Sequence, residues 1–330
     1  MTAKEVNIAS EGDVILICSS GESLKQVPSH RLRVSAGSLT TGSSVFKAML
    51  GPHFKEGRQL ASSAIAIGIT LPDDDPEAMI MLCRALHLQL VAMPEVLTPA
   101  ALLALSVVTD KYDCRGTLRF ASEIWIRNAL PMAAPLDLIN LLIAAYMFQQ
   151  AKVFNAVGRE VILKSEGRIR NAAGEHPIEI DGSIEHLNKT KHRIEQELVV
   201  YIEKDILAGL ESSTSGCKGD CMYKASQVVG LQRRLSKVFV WPVSNWLYQT
   251  VAISLETVLQ NLGSLDTSLN KVEPCGIRCC NRVATSISLE SAQRRYAGKA
   301  RLIEQSIPYL CYRCIREDGH MATGGCNHPA

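Results

Sequence analysis

The feature that most narrows the fold is a run of five apolar residues, Val14-Ile-Leu-Ile-Cys18, fenced by Gly12-Asp13 and by Ser19-Ser20-Gly21. A short apolar run with turn residues at both ends has the profile of a buried strand. Leu32-Arg-Val34 is a short alternating segment. Ser35 then stands as N-cap to a helix whose apolar face is Leu39, Val45, Phe46, Met49 and Leu50. Residues 65–71 alternate as a half-buried strand does and stop at Pro72.

From there the periodicity is helical. Asp73-Asp74-Asp75-Pro76-Glu77 has two readings, an acidic metal cluster or a helix opening. Asp75 before Pro76 is the order N-cap then N1, with carboxylates at the positive end of the helix dipole, and this is the reading taken. Met79, Leu82, Cys83, Leu86 and His87 continue that helix. Thr98-Pro99 repeats the opening ahead of Leu102, Leu103, Leu105, Val107 and Val108, a strongly buried helix running to about Tyr112. Residues 118–125 and 136–161 read as further helices. Residues 165–183 are polar, with three glycines, one proline and no period, and read as a linker. Residues 184–210 form a long charged helix with Ile194, Leu198, Tyr201, Ile202, Ile206 and Leu210 on one face and Glu195, Glu197, Glu203 and Lys204 as solvated surface. Helices at residues 225–239 and 243–262, separated by Trp241-Pro242 and followed by a loop from Gly263, complete the pattern.

Composition removes several classes. At 330 residues, 47% hydrophobic and 21% charged, the chain is long enough for two modest folded domains and unlike a disordered or fibrous one. Thirty-five basic against 33 acidic residues, net +2, give no long-range pull on nucleic acid or anionic lipid. The longest apolar stretch, residues 138–148, contains Asn140 and falls far short of the ~20 residues of a membrane helix. The N-terminus has no apolar core and meets Glu11 and Asp13, so no secretory signal is expected and the protein is read as intracellular, cytoplasmic or nuclear.

Residues 10–130 carry a resemblance to a known family. Gly12-Asp13-Val14, followed by Val34-Ser35-Ala-Gly-Ser-Leu39-Thr-Thr-Gly-Ser43-Ser-Val45-Phe46-Lys-Ala-Met49-Leu50, closely resembles the BTB/POZ core signature. Gly51-Pro-His-Phe-Lys-Glu-Gly57, Leu71-Pro-Asp-Asp-Asp-Pro76-Glu-Ala-Met and Thr109-Asp110-Lys-Tyr-Asp-Cys114 resemble the version found in many filamentous-fungal proteins. The resemblance implies an N-terminal BTB/POZ domain, a small sheet flanked by helices, and with the mainly helical, cysteine-rich region read after it the expected fold class is α+β. The expected division is residues 1–130, a helical extension 131–164, the linker 165–183, and a helical region 184–330. Val14, Leu16, Phe46, Met49, Leu82 and Leu103 are expected to be buried together. Ser35 stands where many members carry His, and His30, five residues earlier, does not inherit that role. Only about ten residues precede the Val14 strand, so the N-terminal arm that some members exchange in dimers is expected to be missing. The family dimerises or presents a groove to a partner, sometimes a cullin-type ubiquitin-ligase subunit. Met93-Pro94-Glu95 matches the apolar-x-Glu motif that helps some members hold cullins, and reads equally as an exposed loop.

The 11 cysteines split into two groups. Cys18, Cys83 and Cys114 sit singly in apolar segments, as small buried hydrophobes do. The other eight follow Gly216: Cys217-x3-Cys221, Cys275-x3-Cys279-Cys280, Cys311-x2-Cys314, and Cys326 shortly before His328. Zinc takes four thiolate or imidazole ligands in a tetrahedron, and a CxxC turn supplies two of them at ~2.3 Å. The candidate ligands of a closed, structural zinc site are Cys217, Cys221, Cys279, Cys311, Cys314, Cys326 and His328, with Cys311, Cys314, Cys326 and His328 able to supply one complete set. Such a metal would staple a poorly buried C-terminal tail onto the helical half. Packed reduced thiols and a redox CxxC are the alternatives, and no strand-to-helix entry of the thioredoxin kind surrounds Cys311. Order alone does not say which cysteines share an ion.

The functional expectation is therefore a non-enzymatic protein-interaction adaptor, self-associating or binding a protein partner through the helices near its start. No GxSxG, Walker loop, HExxH or dinucleotide fingerprint is present. The alternative is a nucleic-acid-binding regulator using Arg294-Arg295, Lys299 and Arg301 beside the cysteines, a patch poor in interleaved aromatics.

Overall fold

A computed structural model describes residues 4–19, 30–170, 181–214, 222–238, 240–242, 252–265, 289–308 and 310–317. They group into two compact units, one from the N-terminus to Val157 and one from Gly158 onward.

The first unit is mixed α+β. Its strands are β1 (Lys4–Asn7), β2 (Val14–Cys18), β3 (His30–Val34) and β4 (Ile67–Leu71), in the order β1-β3-β2-β4. β2 runs antiparallel to β3 and parallel to β4, with Leu16 opposite Leu32 on one side and Ile69 on the other. Because side chains alternate along a strand, this register puts Val14, Leu16, Cys18, Leu32, Val34, Ile67, Ile69 and Leu71 on one buried face. Ile15 and Ile17 are only half-buried, so β2 has one fully covered face and one partly covered face despite its unbroken apolar sequence. Two sequence expectations change at the N-terminus. Val14 does not begin the first strand, and the residues ahead of it are not idle: Lys4–Asn7 pairs in parallel with β3 as an edge strand of this chain's own sheet.

The single helix expected after Ser35 is two helices, α1 (Ala36–Gly42) and α2 (Ser44–Met49). Ser43 between them is extended; its Oγ accepts from Phe46 N–H and donates to the Tyr112 carbonyl at 2.6 Å. A helix absent from the sequence reading, α3 (Lys55–Ser62), follows. It approaches the Gly51 turn so closely that a Cβ at Gly57 would fall 1.9 Å from the Gly51 carbonyl oxygen, which only glycine tolerates.

The two proline openings form as expected. Asp75 caps α4 (Pro76–Leu86) by accepting from Ala78 N–H, and Thr98 caps α5 (Pro99–Lys111) by accepting from Ala101 N–H, each worth ~1 kcal/mol. Next come α6 (Arg115–Ala129), α7 (Asp137–Met147) and α8 (Ala151–Lys164); Gln149, at φ 58°, breaks the stretch 136–161 into the last two. Phe46 stacks on Tyr112 with ring centroids 4.3 Å apart. Val14, Leu16, Phe46, Leu82 and Leu103 are buried, while Met49 is half-exposed at the end of α2.

The second unit is helical where described: α9 (Asp181–Thr214), α10 (Met222–Lys237), α11 (Leu255–Gly263), α12 (Leu289–Ser306) and α13 (Tyr312–Glu317). Ile194, Leu198, Ile202 and Ile206 of α9 are buried, and Tyr201 is half-buried. Glu195 is not solvated surface; it is half-buried beside Lys191, and burial raises its pKa against the lowering effect of that ammonium. The described part of the expected linker is held against α9. Asn188 bonds both the N–H and the carbonyl of Ile169, and the buried Lys191 ammonium donates to the carbonyls of Ser165 and Gly167. The loop expected from Gly263 lies, over residues 266–288, outside the described residues, and α12 then runs for 18 residues and buries Tyr296. No helix among the described residues is long and apolar enough to cross a membrane.

Candidate functional site

Of the seven expected metal ligands, Cys311 and Cys314 are described; Cys217, Cys221, Cys279, Cys326 and His328 lie outside the described residues. Cys311 sits half-buried just ahead of α13, and Cys314 is buried on its first turn. Spacing of i and i+3 across the start of a helix places both on one side of it, so the pair suits two thiolates on one ion. Among the described residues no three His, Cys, Asp or Glu side chains gather as a metal group. The tail expected to be poorly buried without a metal lies, from residue 318 on, outside the described residues. Ile307, Leu310 and Tyr312 are all buried, and Leu310 lies where a Cβ on Gly158 would stand 2.3 Å from it.

Cys18, Cys83 and Cys114 are buried, as expected of small hydrophobes. Burial pushes the Cys18 thiol up to about 12, with the Asp74 carboxylate adding to the effect. Burial also raises Cys114 to about 11 against a lowering hydrogen bond from Ser43, and raises Cys83 further. Thiols held protonated in this way are poor nucleophiles and poor metal ligands.

The acidic run at 73–75 divides its work. Asp75 is the cap, while Asp74, the residue that sequence reasoning passed over, is almost wholly buried. It accepts from Tyr112 Oη at 2.5 Å and from Lys111 Nζ at 2.6 Å. This carboxylate fixes the start of α4 to the end of α5. Nothing local in the sequence distinguishes it from Asp73.

The first unit also exposes large apolar side chains. Between α4 and α5 the chain makes a 3₁₀ turn, Leu90–Ala92, and Leu88, Leu90, Val91 and Val96 are each more than three-fifths exposed. Met93-Pro94-Glu95 belongs to this loop, with Glu95 exposed. Trp125 Nε1 donates to the Pro94 carbonyl at 2.9 Å, tying the loop to α6, which itself exposes Phe120 and Ile124. The exposed positions of α1 and α2 are instead Gly37, Thr41, Ser44, Lys47 and Ala48, small or polar residues.

In the second unit two basic residues of α12 are paired with carboxylates of α9. Arg295 forms a two-pronged bond to Asp205 of α9. Lys299 bonds Glu197 and lies 5.4 Å over the Tyr201 ring. Arg301 lines a cleft of about 240 Å³ with Glu256, Gln260 and Glu304. No protein-family model matches this chain, and no curated protein sequence matches it.

Proposed function

We propose that the first unit is a BTB/POZ domain and that the chain is a protein-interaction adaptor whose partner, a second copy or another protein, docks on the loop between α4 and α5. The observation that carries this is the concentration of exposed Leu88, Leu90, Val91 and Val96 in one nine-residue segment, which Trp125 ties to α6. Contiguous exposed apolar side chains of this kind mark interaction sites. The order of elements supports the family: an antiparallel strand pair, β2 and β3, then three short helices, a strand, β4, parallel to the first of the pair, then helices. A cullin-type ubiquitin-ligase subunit is one candidate occupant of the surface that includes Glu95. In the C-terminal region we propose a structural zinc on Cys311 and Cys314, completed from Cys217, Cys221, Cys279, Cys326 and His328. Nucleic acid is the weaker reading, since Arg295 and Lys299 are engaged by Asp205 and Glu197.

The test is light scattering and quantitative affinity purification of the full chain, wild type against Leu90→Ser/Val91→Asp. Wild type should run above monomer mass, or carry a partner, at about 10 µM; the variant should lose that association at least tenfold. A wild-type monomer that captures nothing sensitive to the substitution overturns the adaptor reading. Atomic absorption should find about one zinc per chain or more, and well below one leaves packed thiols.

A further inference from the structure

The start of α1 is closed by side chains from elsewhere in the chain. Ser35 occupies the N-cap position but its hydroxyl makes no capping bond. The first two amides are taken instead by distant residues. Ala36 N–H donates to Asp13 Oδ1 at 2.7 Å, and Ser35 N–H donates to His87 Nε2 at 2.9 Å. His87 is the C-cap of α4, and its other ring nitrogen, Nδ1, lies 2.7 Å from the Cys83 carbonyl. These two partners assign the proton. A backbone N–H only donates, so Nε2 must be bare; a carbonyl only accepts, so Nδ1 carries the hydrogen.

We propose that His87 is an acid-sensitive clamp between α4 and α1, closed by the neutral Nδ1–H imidazole and opened by protonation at Nε2. An imidazolium presents N–H to the N–H of Ser35, two donors facing each other, while its bond to Cys83 survives. The ring therefore stays on α4 and the contact between helices is what breaks. The charged groups around this junction are Asp13 ahead of β2, Arg33 on β3, whose Nε donates to the Gly12 carbonyl, and Arg84 on α4, whose guanidinium donates to the Ala92 carbonyl. Cys83 is the neighbouring thiol of α4, and α1 carries no ionisable side chain. Asp13 is held by Ala36 N–H, so it serves the same helix entrance and not the imidazole. The bond from Ser35 N–H needs a bare Nε2, so it is present with the neutral ring and lost with the protonated one. Gln89, two residues beyond His87, bonds the Ile8 carbonyl at 2.7 Å, so the segment ahead of β2 is tied to the same end of α4. This inference rests on hydrogen-bond geometry alone and is independent of the adaptor reading.

Two measurements on the full chain test it. With ¹⁵N-histidine labelling, two-bond ¹H–¹⁵N correlations distinguish tautomers, and His87→Gln identifies the signals that belong to residue 87. At about pH 7.5 they should report Nδ1–H; the Nε2–H tautomer or a charged ring overturns the proposal. Hydrogen exchange across residues 35–42, corrected for intrinsic rates, should then show protection falling roughly tenfold between about pH 7.5 and 5.5 in wild type. His87→Gln, whose amide oxygen accepts from Ser35 N–H but does not titrate, should show a flat profile. If His87→Gln retains the wild-type pH dependence, or wild type shows none, the clamp is wrong. Should the glutamine variant fail to fold, His87→Asn identifies the residue-87 signals instead, and the wild-type exchange profile still decides.

Discussion

The two units satisfy buried polar groups in different ways. In the first, single side chains reach far along the sequence to a lone amide, carbonyl or carboxylate: Ser43 to Tyr112, Tyr112 and Lys111 to Asp74, Trp125 to Pro94, and Ser35 N–H to His87. In the second, Asn188 and the buried Lys191 do the same for Ile169, Ser165 and Gly167, but α9 and α12 are joined by partly exposed pairs of opposite charge, Asp205 with Arg295 and Glu197 with Lys299. A lone buried bond costs heavily when one partner is removed, because the other is stranded away from water. A half-solvated ion pair costs little, because water replaces either partner. The first unit should therefore be brittle at single positions and the seam between α9 and α12 tolerant.

Phe46→Ala is the strongest way to break that contrast. The ring is fully buried and stacked on Tyr112, so its loss should cost about 3–5 kcal/mol, measured by denaturant unfolding of the full chain followed by exchange protection in β2 and α5. A cost under about 1 kcal/mol would mean that this core repacks freely and that brittleness has another source.

Asp74→Ala comes next. It strands the Tyr112 hydroxyl in the interior and releases Lys111, whose side chain is 46% exposed and rehydrates. The expected loss is about 2–3 kcal/mol, most of it from the stranded hydroxyl. Asp74→Ala in a Tyr112→Phe background should then cost clearly less, and equal costs in both backgrounds would break the account.

What the sequence made legible follows the same division. Strand alternation and the Asp75-Pro76 and Thr98-Pro99 caps are local patterns, and each formed where its residues stand. Ser43 reads locally as a helix-entry residue, and it caps α2; the full break was not legible, because Leu39 and Phe46 fit one continuous helix and the bond that fixes Ser43 comes from Tyr112, 69 residues away. Asp74 and His87 were hidden for the same reason: their partners are set by the fold and not by spacing. The edge strand Lys4–Asn7 lacks the apolar run that announced β2. In the second unit, the charges of α9 and α12 looked like solvated faces because each pair is split across some ninety or more residues. Of the candidate metal ligands, spacing identified a pair that shares the start of α13; the remaining five fall outside the described residues.

Thiol titration sharpens the comparison at smaller scale. Cys18 and Cys114 are raised by burial to about 12 and about 11. An unfolded thiol ionises near ~8.5, so the unfolded state sheds protons first as pH rises. Stability should be intact below that value and fall between roughly pH 8.5 and the folded values of 11 to 12. Cys18→Ala/Cys114→Ala should flatten the slope of unfolding free energy between about pH 8.5 and 9.5 by about 1 kcal/mol per thiol. Iodoacetamide at about pH 8 should leave both thiols unmodified in the native chain. Prompt alkylation of either would show that the site opens readily.

The smallest effect is expected where the second unit is most visibly charged. Lys299 bonds Glu197 across 102 residues of sequence, but the Glu197 side chain is 48% exposed, so water competes for both ends of the bond. A double-mutant cycle with Lys299→Ala and Glu197→Ala should give a coupling under about 1 kcal/mol. About 1 M salt should shrink it, since the screening length there is ~3 Å. The Lys299 ammonium also lies over the Tyr201 ring, so Lys299→Ala should cost slightly more than Glu197→Ala, by roughly 0.5 kcal/mol at this partly exposed site. The same variants separate a structural lysine from a ligand-binding one. If Lys299 serves α9, removing Glu197 lowers stability and leaves any salt-sensitive binding to DNA unchanged. If Glu197→Ala instead strengthens such binding while stability stays fixed, the cation was being withheld from a nucleic acid, and the contrast between the two units becomes one of function as well as of packing.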